Sequence, residues 1–359
     1  MSKLTASLLS SITVATSVAA QQHVVVPAIR ANTNAPAYGW IAGASRNVRQ
    51  QTLIGASHLT AMVGKSISAI DLRRHSANEQ YLGGTANLTV TLSIAPITPL
   101  ECTPVFASNT SLPGSPAFSG QVTLPTSPAA TGGPVGWSAA ETVHIQFTNP
   151  FVYTGGTLCI DITGIAVAGQ NADWWMANLE LEDIGGSLTN LGGGCGIYGG
   201  PNKEWSSIDR RSLLPGAQAR FSANGSLNGL ALAAFGASAQ FSIPLSLTGL
   251  PSASGCDLWL SSINAIMPTI FVPPLDPQDL PFGGEAEVNF QVPNSAAVFG
   301  FTMTTQWVDW SQMASSNAIE WSIANTAPTI EMAMIEGDAS SPTGLPCPYM
   351  GHVMRFEYN

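Results

Sequence analysis

The feature that most constrains this chain is a two-residue period that recurs in short runs. Asn87–Ile94 is the cleanest: Leu88, Val90, Leu92 and Ile94 fall on one side, and Asn87, Thr89, Thr91 and Ser93 on the other. That is the spacing of a half-buried β-strand. Val143, Ile145 and Phe147 repeat it within Thr142–Phe147. In Ser242–Ser261, Ile243, Leu245 and Leu247 alternate with polar or small residues. Gly249, Pro251 and Gly255 then turn the chain towards Asp257–Leu260. This stretch reads as strand, corner and strand, with the three aliphatic residues facing a core and much of the chain organised around it.

Gln50–Leu53, Ser66–Arg73, Gln121–Leu124, Thr157–Val167 and Asp173–Leu181 read as further strands of a first unit. Gln218–Phe221, Leu230–Phe235, Gln240–Leu247, Asp257–Leu260, Thr269–Val272, Glu285–Val292, Val298–Trp307, Ala318–Ile323 and Thr329–Met334 read as a second. Thirty-five glycines and 25 prolines punctuate them, and no long helical period intervenes. The expected class is all-β: two tandem antiparallel β-sandwich domains of jelly-roll type. Gly185–Gly200, half of it glycine, reads as the linker. The expected bounds are 21–184 for the N-terminal sandwich, 185–200 for the linker and 201–359 for the C-terminal sandwich with its tail. Met350–Tyr358 is expected as a last edge strand. Gln21–Asn47 shows no period, and Pro96–Gly136 reads mostly as loop.

Met1–Ala20 has the form of a secretory signal: Lys3, an uncharged segment, then Val18-Ala19-Ala20 before a cleavage site. No later stretch offers the roughly 20 apolar residues of a membrane span. The expected location is extracellular or at the cell surface. Charged residues make up 9% of the chain and the net charge is −10, against roughly 25% charged residues in ordinary domains. No Lys/Arg run exceeds two residues. Binding to nucleic acid through its phosphates, or to an anionic membrane, is therefore disfavoured. Five cysteines without CxxC spacing argue against zinc or thioredoxin-like sites. In an oxidising compartment they argue for bridges, with one thiol left over. No cofactor is implied.

The five histidines never form HxH, HxxxH or HExxH. His144 lies on the polar side of its strand and reads as solvated. Ser57-His58 lacks the second glycine of a nucleophile elbow. Asp173, Glu180, Glu182 and Asp183 form one acidic group and Asp276, Asp279, Glu285 and Glu287 another. Two carboxylates across a cleft would suit glycoside cleavage; solvated loop acids are the plainer reading. Asp276, Asp279 and Glu285 are calcium candidates, as hard oxygen donors near a turn, without a DxDxDG pattern. The nine tryptophans offer a different site. Trp174 and Trp175 are adjacent, so a strand would point them to opposite sides. Trp307 and Trp310 flank Asp309, an arrangement that could stack on a sugar while the carboxylate binds hydroxyls. Core packing is the competing reading of all four rings.

The order of several short motifs carries a resemblance. In the first half these are Arg49–Gln51, Asp71–Arg73, Leu88–Ser93 and Pro150–Ile162. In the second they are Gly192–Cys195, Pro244–Leu247, Gly255-Cys256, Gln306, Asp309 and Ser316-Asn317. Over roughly Arg49–Ile323 the chain resembles uncharacterised exported two-domain β-sandwich proteins of planctomycete-type bacteria. The resemblance implies tandem sandwiches and export, and no activity. It also implies a Cys195–Cys256 bridge, with Cys102–Cys159 as first-domain counterpart and Cys347 spare. The tail after Asn325 falls outside the pattern.

The function expected is that of an exported, non-catalytic cell-surface or matrix protein, adhesive or carbohydrate-binding. One alternative is a secreted glycoside- or polysaccharide-degrading enzyme. Another is a self-assembling envelope component joined through Cys347 and an unpaired terminal strand. The partners considered are a polysaccharide or surface glycan and further copies of the chain.

Overall fold

A computed structural model describes residues 21–111, 115–170, 176–198, 205–248, 255–273 and 283–359. Met1–Ala20, read as the signal segment, lies outside them. The described chain is all-β, with antiparallel strands joined by loops and short 3-10 turns.

Two sheets face each other in the first half. The six-stranded sheet runs Leu345–Cys347, Met332–Asp338, Val48–Ile54, Thr157–Ala166, Gly84–Ala95, Phe118–Leu124. The four-stranded sheet runs Gln22–Val26, Met354–Tyr358, Ser66–Arg73, Thr142–Val152. Leu88, Val90, Leu92, Leu158 and Ile160 of the first meet Ile70, Leu72, Val143, Ile145 and Phe356 of the second in one buried cluster. Leu88, Val90, Leu92, Val143 and Ile145 are among the residues that the alternation assigned inward, and each large aliphatic side chain so buried is worth about 1.5–3 kcal/mol.

The tail changes the expected partition. Residues 201–359 do not form one sandwich, because the last strands return to the first. Met354–Tyr358 is an interior strand: Phe356 lies between Val24 and Ile70. Met350–His352 pairs with Met176–Leu181, which also pairs with Ala37–Trp40. The edge-strand expectation for Met350–Tyr358 is therefore corrected. Alternation identifies a strand but not its neighbours. Gln22–Val26 and Ala37–Trp40 also escaped notice, being too short to show a period.

The long loop after Gly84–Ala95 packs on the outer side of the six-stranded sheet. Its turns Pro99–Glu101 and Phe106–Asn109 bring Cys102 and Phe106 against Leu53, Cys159 and Ile335. Val48–Ile54 is thereby covered on both sides. Its Gln51 amide donates to the Phe106 carbonyl (3.1 Å) and to Asp161 (2.8 Å), and Arg49 binds the same carboxylate at 2.6 and 3.0 Å. Residues two apart on one strand share a side, which is why Arg49 and Gln51 converge on Asp161.

The second half has a five-stranded sheet: Ser187–Asn190, Ala314–Ser322, Thr302–Asp309, Leu230–Gly236, Ala265–Ile270. It packs on Ser206–Ile208, Gln218–Ser226 and Gly283–Gln291 through an aromatic core. Phe221 sits 5.1 Å from both Phe235 and Trp321, between ring centroids. The expected linker is partly structure of this half: Ser187–Asn190 is an edge strand. Leu214, Ala217 and Ala324 then meet Cys347, Tyr349 and Leu181, joining the two halves.

The Ser242–Ser261 stretch is peripheral. Ser238–Pro244 and Asp257–Leu260 form a two-stranded ribbon, clamped where Gln306 accepts from Trp259 N–H (2.9 Å) and donates to the Asp257 carbonyl (2.8 Å). Leu245 is buried, but Phe241 and Leu247 are 80% and 77% exposed. The strand ends at Pro244 and Leu245–Thr248 is a 3-10 turn, which breaks the alternation. Ile243 is 38% exposed too, so of the three aliphatic residues expected inward Leu245 alone is buried. The Cys195–Cys256 disulfide ties this ribbon to the Gly-rich entrance over a separation of 61 residues. By the loop-entropy argument that closure is worth about 4 kcal/mol. The Cys102–Cys159 bridge is not made. Both are buried free thiols, as is Cys347. Cys159 stands mid-strand opposite Leu53 and Ser93, and Cys102 ends a 3-10 turn. Burial pushes Cys347 up to about 11 and Cys159 up to about 12.

Two predictions follow from the return of the chain. A protein ending at residue 349 should lose the N-terminal sandwich although it keeps all of 21–184. A near-native circular-dichroism spectrum would contradict this. His352 is fully buried, and burial pushes its pKa down to about 4. An unfolded histidine titrates near 6.5. The unfolded state therefore takes up the proton first, so this stabilisation is present above about pH 6.5 and is lost as the pH falls towards 4. His352→Phe should flatten the dependence of Tm on pH across that window; equal slopes would clear the histidine of the effect.

Candidate functional site: the outer side of the five-stranded sheet

The two tryptophans around Asp309 are separated by the strand's own geometry. Trp307 points into the core and is 1% exposed, with Phe235 and Trp321 in the same cluster. Trp310, just past the strand end, is 39% exposed. Asp309 is fully buried and touches no surface. Its Oδ2 accepts from the Tyr198 hydroxyl (2.7 Å) and the Ser226 N–H (3.0 Å). Its Oδ1 accepts from the Ser311 N–H and hydroxyl (3.0 and 2.5 Å) and the Gln312 N–H (3.2 Å). Burial opposes the charge, but the hydrogen bonds from Ser311, Ser226 and Tyr198 outweigh it and hold the pKa below the ordinary carboxylate value. Asp309 is thus the post on which the turn after Trp310 is built. Met313 closes that turn with a φ of 49°, a left-handed backbone that non-glycine residues rarely adopt.

The Trp310 backbone ties to an apolar strip. The Trp310 main-chain N–H donates to the Leu230 carbonyl (2.9 Å), and Leu230 stands opposite Ile270 across the strand pair. Ile266, Ile270 and Val272 are each more than half exposed, and Leu230 is 41% exposed. Leu230, Pro268, Thr269, Ile270 and Val272 line a shallow depression of about 430 Å³. The strand Ala265–Ile270 is at the sheet edge, and Pro268 removes one donor from it. The rest of this side of the sheet is covered: Thr304, Gln306 and Ala318 are buried, and the ribbon is clamped on Gln306.

Of the other predicted residues, Trp174 and Trp175 lie outside the described residues, as do Asp173, Asp276 and Asp279. Glu285 is in the strand Gly283–Gln291, where burial, and then Glu287, raise its pKa. The remaining acids are tied into the frame. Glu180 binds Arg30, Glu182 accepts from the Thr329 and Ile330 N–H groups at 2.7 and 2.8 Å, and Asp183 pairs with Arg210 and Arg211. A larger groove of about 440 Å³ includes Ser57, Thr98, Gly156 and Glu331, with the Ser57 hydroxyl donating to Glu331. Glu331 is the carboxylate among its lining residues, so the two-acid arrangement for glycoside cleavage is not assembled there. His58 Nε2 is 2.7 Å from the Ile330 carbonyl, and Ser57 is bonded to the carboxylate.

The features proposed for self-assembly are also accounted for. Cys347 is buried, and the terminal strand has a neighbour on each side. No protein-family model matches the chain, and neither does any curated protein sequence.

Asp309→Asn keeps the shape of the turn but removes the charge that five donors surround. It should cost about 3 kcal/mol of stability at neutral pH. The folded pKa is lowered, so this contribution is present above the unfolded value near 3.9 and fades as the pH falls through the folded one. Denaturant unfolding of the two proteins at pH 7 measures the difference; equal midpoints would refute the role.

Proposed function

We propose that this is an exported, non-catalytic β-sandwich protein of the cell surface or extracellular matrix that works by contact. Its binding side is the strip of Trp310, Leu230, Ile266 and Ile270, and the partner is a neutral polysaccharide or surface glycan. The observation that carries this reading is the 39%-exposed Trp310, presented by a turn that Asp309 braces and tied through its main-chain N–H to Leu230 of the apolar strip. A flat indole face suits the apolar face of a pyranose, and a rigid turn spares the ordering cost of binding. The net charge of −10 favours a neutral ligand over an acidic one.

Export is supported by the leader-like Met1–Ala20 and by the Cys195–Cys256 disulfide, a bond that persists in oxidising compartments. Among the described residues no helix is long and apolar enough to cross a membrane.

Pull-down on neutral polysaccharides and a glycan array test the proposal. Binding should fall at least about tenfold in Trp310→Ala, the loss of one stacked ring. Phe241→Ala, an exposed ring on the ribbon, should bind as the parent does. Failure to bind any neutral glycan would end the sugar reading.

A further inference from the structure

The outer side of the four-stranded sheet carries a second cluster, which the contact role leaves unused. In Met354–Tyr358, Met354, Phe356 and Tyr358 point into the core. Arg355 and Glu357 therefore point outwards. His23 stands opposite Glu357, Arg355 opposite Asp71, and Asp71 opposite His144. Four adjacent strands thus each offer one ligand-type side chain: His23, Glu357, Asp71 and His144.

Their spacing is close. Asp71 Oδ1 lies 2.7 Å from His144 Nδ1. Asp71 Oδ2 accepts from Arg355 Nε and lies 2.7 Å from its Nη2. The Arg355 guanidinium lies under the Trp137 ring, 5.2 Å from its centre, so it is held on Oδ2 and leaves Oδ1 to His144. A carboxylate oxygen of Glu357 lies within 4.8 Å of the Asp71 and His144 ligand atoms. His23 Nδ1 is 3.7 Å from Glu357 Oε1. The Gln21 amide also donates to Glu357. The Asp71 side chain is 1% exposed, whereas those of His144 and His23 are 46% and 44% exposed, which leaves an ion a way in.

We propose that Asp71, His144 and Glu357 form a binding site for a divalent transition-metal ion of the zinc class, with His23 moving in as the fourth ligand. Imidazole nitrogens and carboxylate oxygens bind zinc at about 2.0–2.2 Å, which sets tetrahedral ligand atoms about 3.3 Å apart. Asp71 and His144 stand 2.7 Å apart with Glu357 within 4.8 Å of both, so three ligands are nearly in place. His23, 3.7 Å from Glu357 and outside that group of three, must swing inward to complete the tetrahedron. Two carboxylates offset the charge of the ion, and the Arg355 guanidinium held on Asp71 leaves the occupied site with one net positive charge. Arg355 stays on Asp71 Oδ2 as the outer partner that orients the ligand. Two imidazoles favour zinc, nickel or copper over calcium or magnesium. The bound ion joins the first strand of the described chain to the last and braces the whole sheet. Because the unfolded chain lacks this arrangement, binding raises stability by mass action.

The test is calorimetric titration of the full chain with zinc chloride, together with thermal melts in zinc and in EDTA. One ion per chain should bind, and zinc should raise Tm. His144→Ala and His23→Ala should each weaken binding by at least about tenfold. His58→Ala, a histidine turned to the Ile330 carbonyl, should bind as the parent does. Cobalt substitution should give the strong visible absorption of a tetrahedral site. His23→Ala removes a half-exposed side chain, so it keeps the test valid if His144→Ala unfolds. Absence of saturable binding, or unchanged affinity in a folded His144→Ala or His23→Ala, would overturn the site.

Discussion

The insertion of Met354–Tyr358 between Gln22–Val26 and Ser66–Arg73 is the constraint on which the rest depends. Without it the first strand has no neighbour, and the core loses Met354, Phe356 and Tyr358. The second half is consequently an excursion between Met176–Leu181 and Met332–Asp338, strands of the first. Such pairing is non-local, so the first sandwich cannot close until the whole chain is available, a topology associated with slow folding. The small cluster of Leu214, Ala324, Cys347 and Tyr349 sits where the excursion leaves and returns.

Charge is scarce in this protein, yet Asp71, Arg73, Arg74 and Asp309 are buried. Arg73 is fully buried, donating to the carbonyls of Val135 (3.0 Å) and Thr33 (2.6 Å). Burial, and then the nearby Arg30, pull its pKa down to about 10. Arg74 is buried too, stacked 4.3 Å over Tyr81 and donating to the carbonyls of Ala77 and Glu79. Asp71 and Asp309 play the matching acidic part. Buried ions persist only when each is paired or hydrogen-bonded, and these are. Their use as internal anchors leaves the outer sheet surface around Trp310 to apolar and amide groups.

Legibility followed the range of the interaction that decided each feature. Ser66–Arg73 and Asp257–Leu260 have the bounds that the alternation assigned. Arg49 and Gln51 could be placed on one strand face, and Asp161 in another strand, but nothing local said that they meet. Trp307 and Trp310 looked equivalent beside Asp309; a separation of three residues, with the strand ending between them, put one ring in the core and the other in water. His144 was legible as an outward residue. Its partners Asp71, Arg355 and Glu357 lie 73 or more positions away, beyond the reach of any spacing rule.

The sequence by itself determined that the chain is built of half-buried strands, because side-chain alternation is a property of a few consecutive residues and the hydrophobic effect acts on it directly. It also determined a sparsely charged exterior. Tertiary structure alone decided which strands are neighbours, that the tail belongs to the first sandwich, and that Cys102 and Cys159 stay unbridged. It likewise decided that three separate strands bring Asp71, His144 and Glu357 together, with His23 beside Glu357. Register across a sheet is chosen by the joint burial of distant segments, and no single segment carries that information.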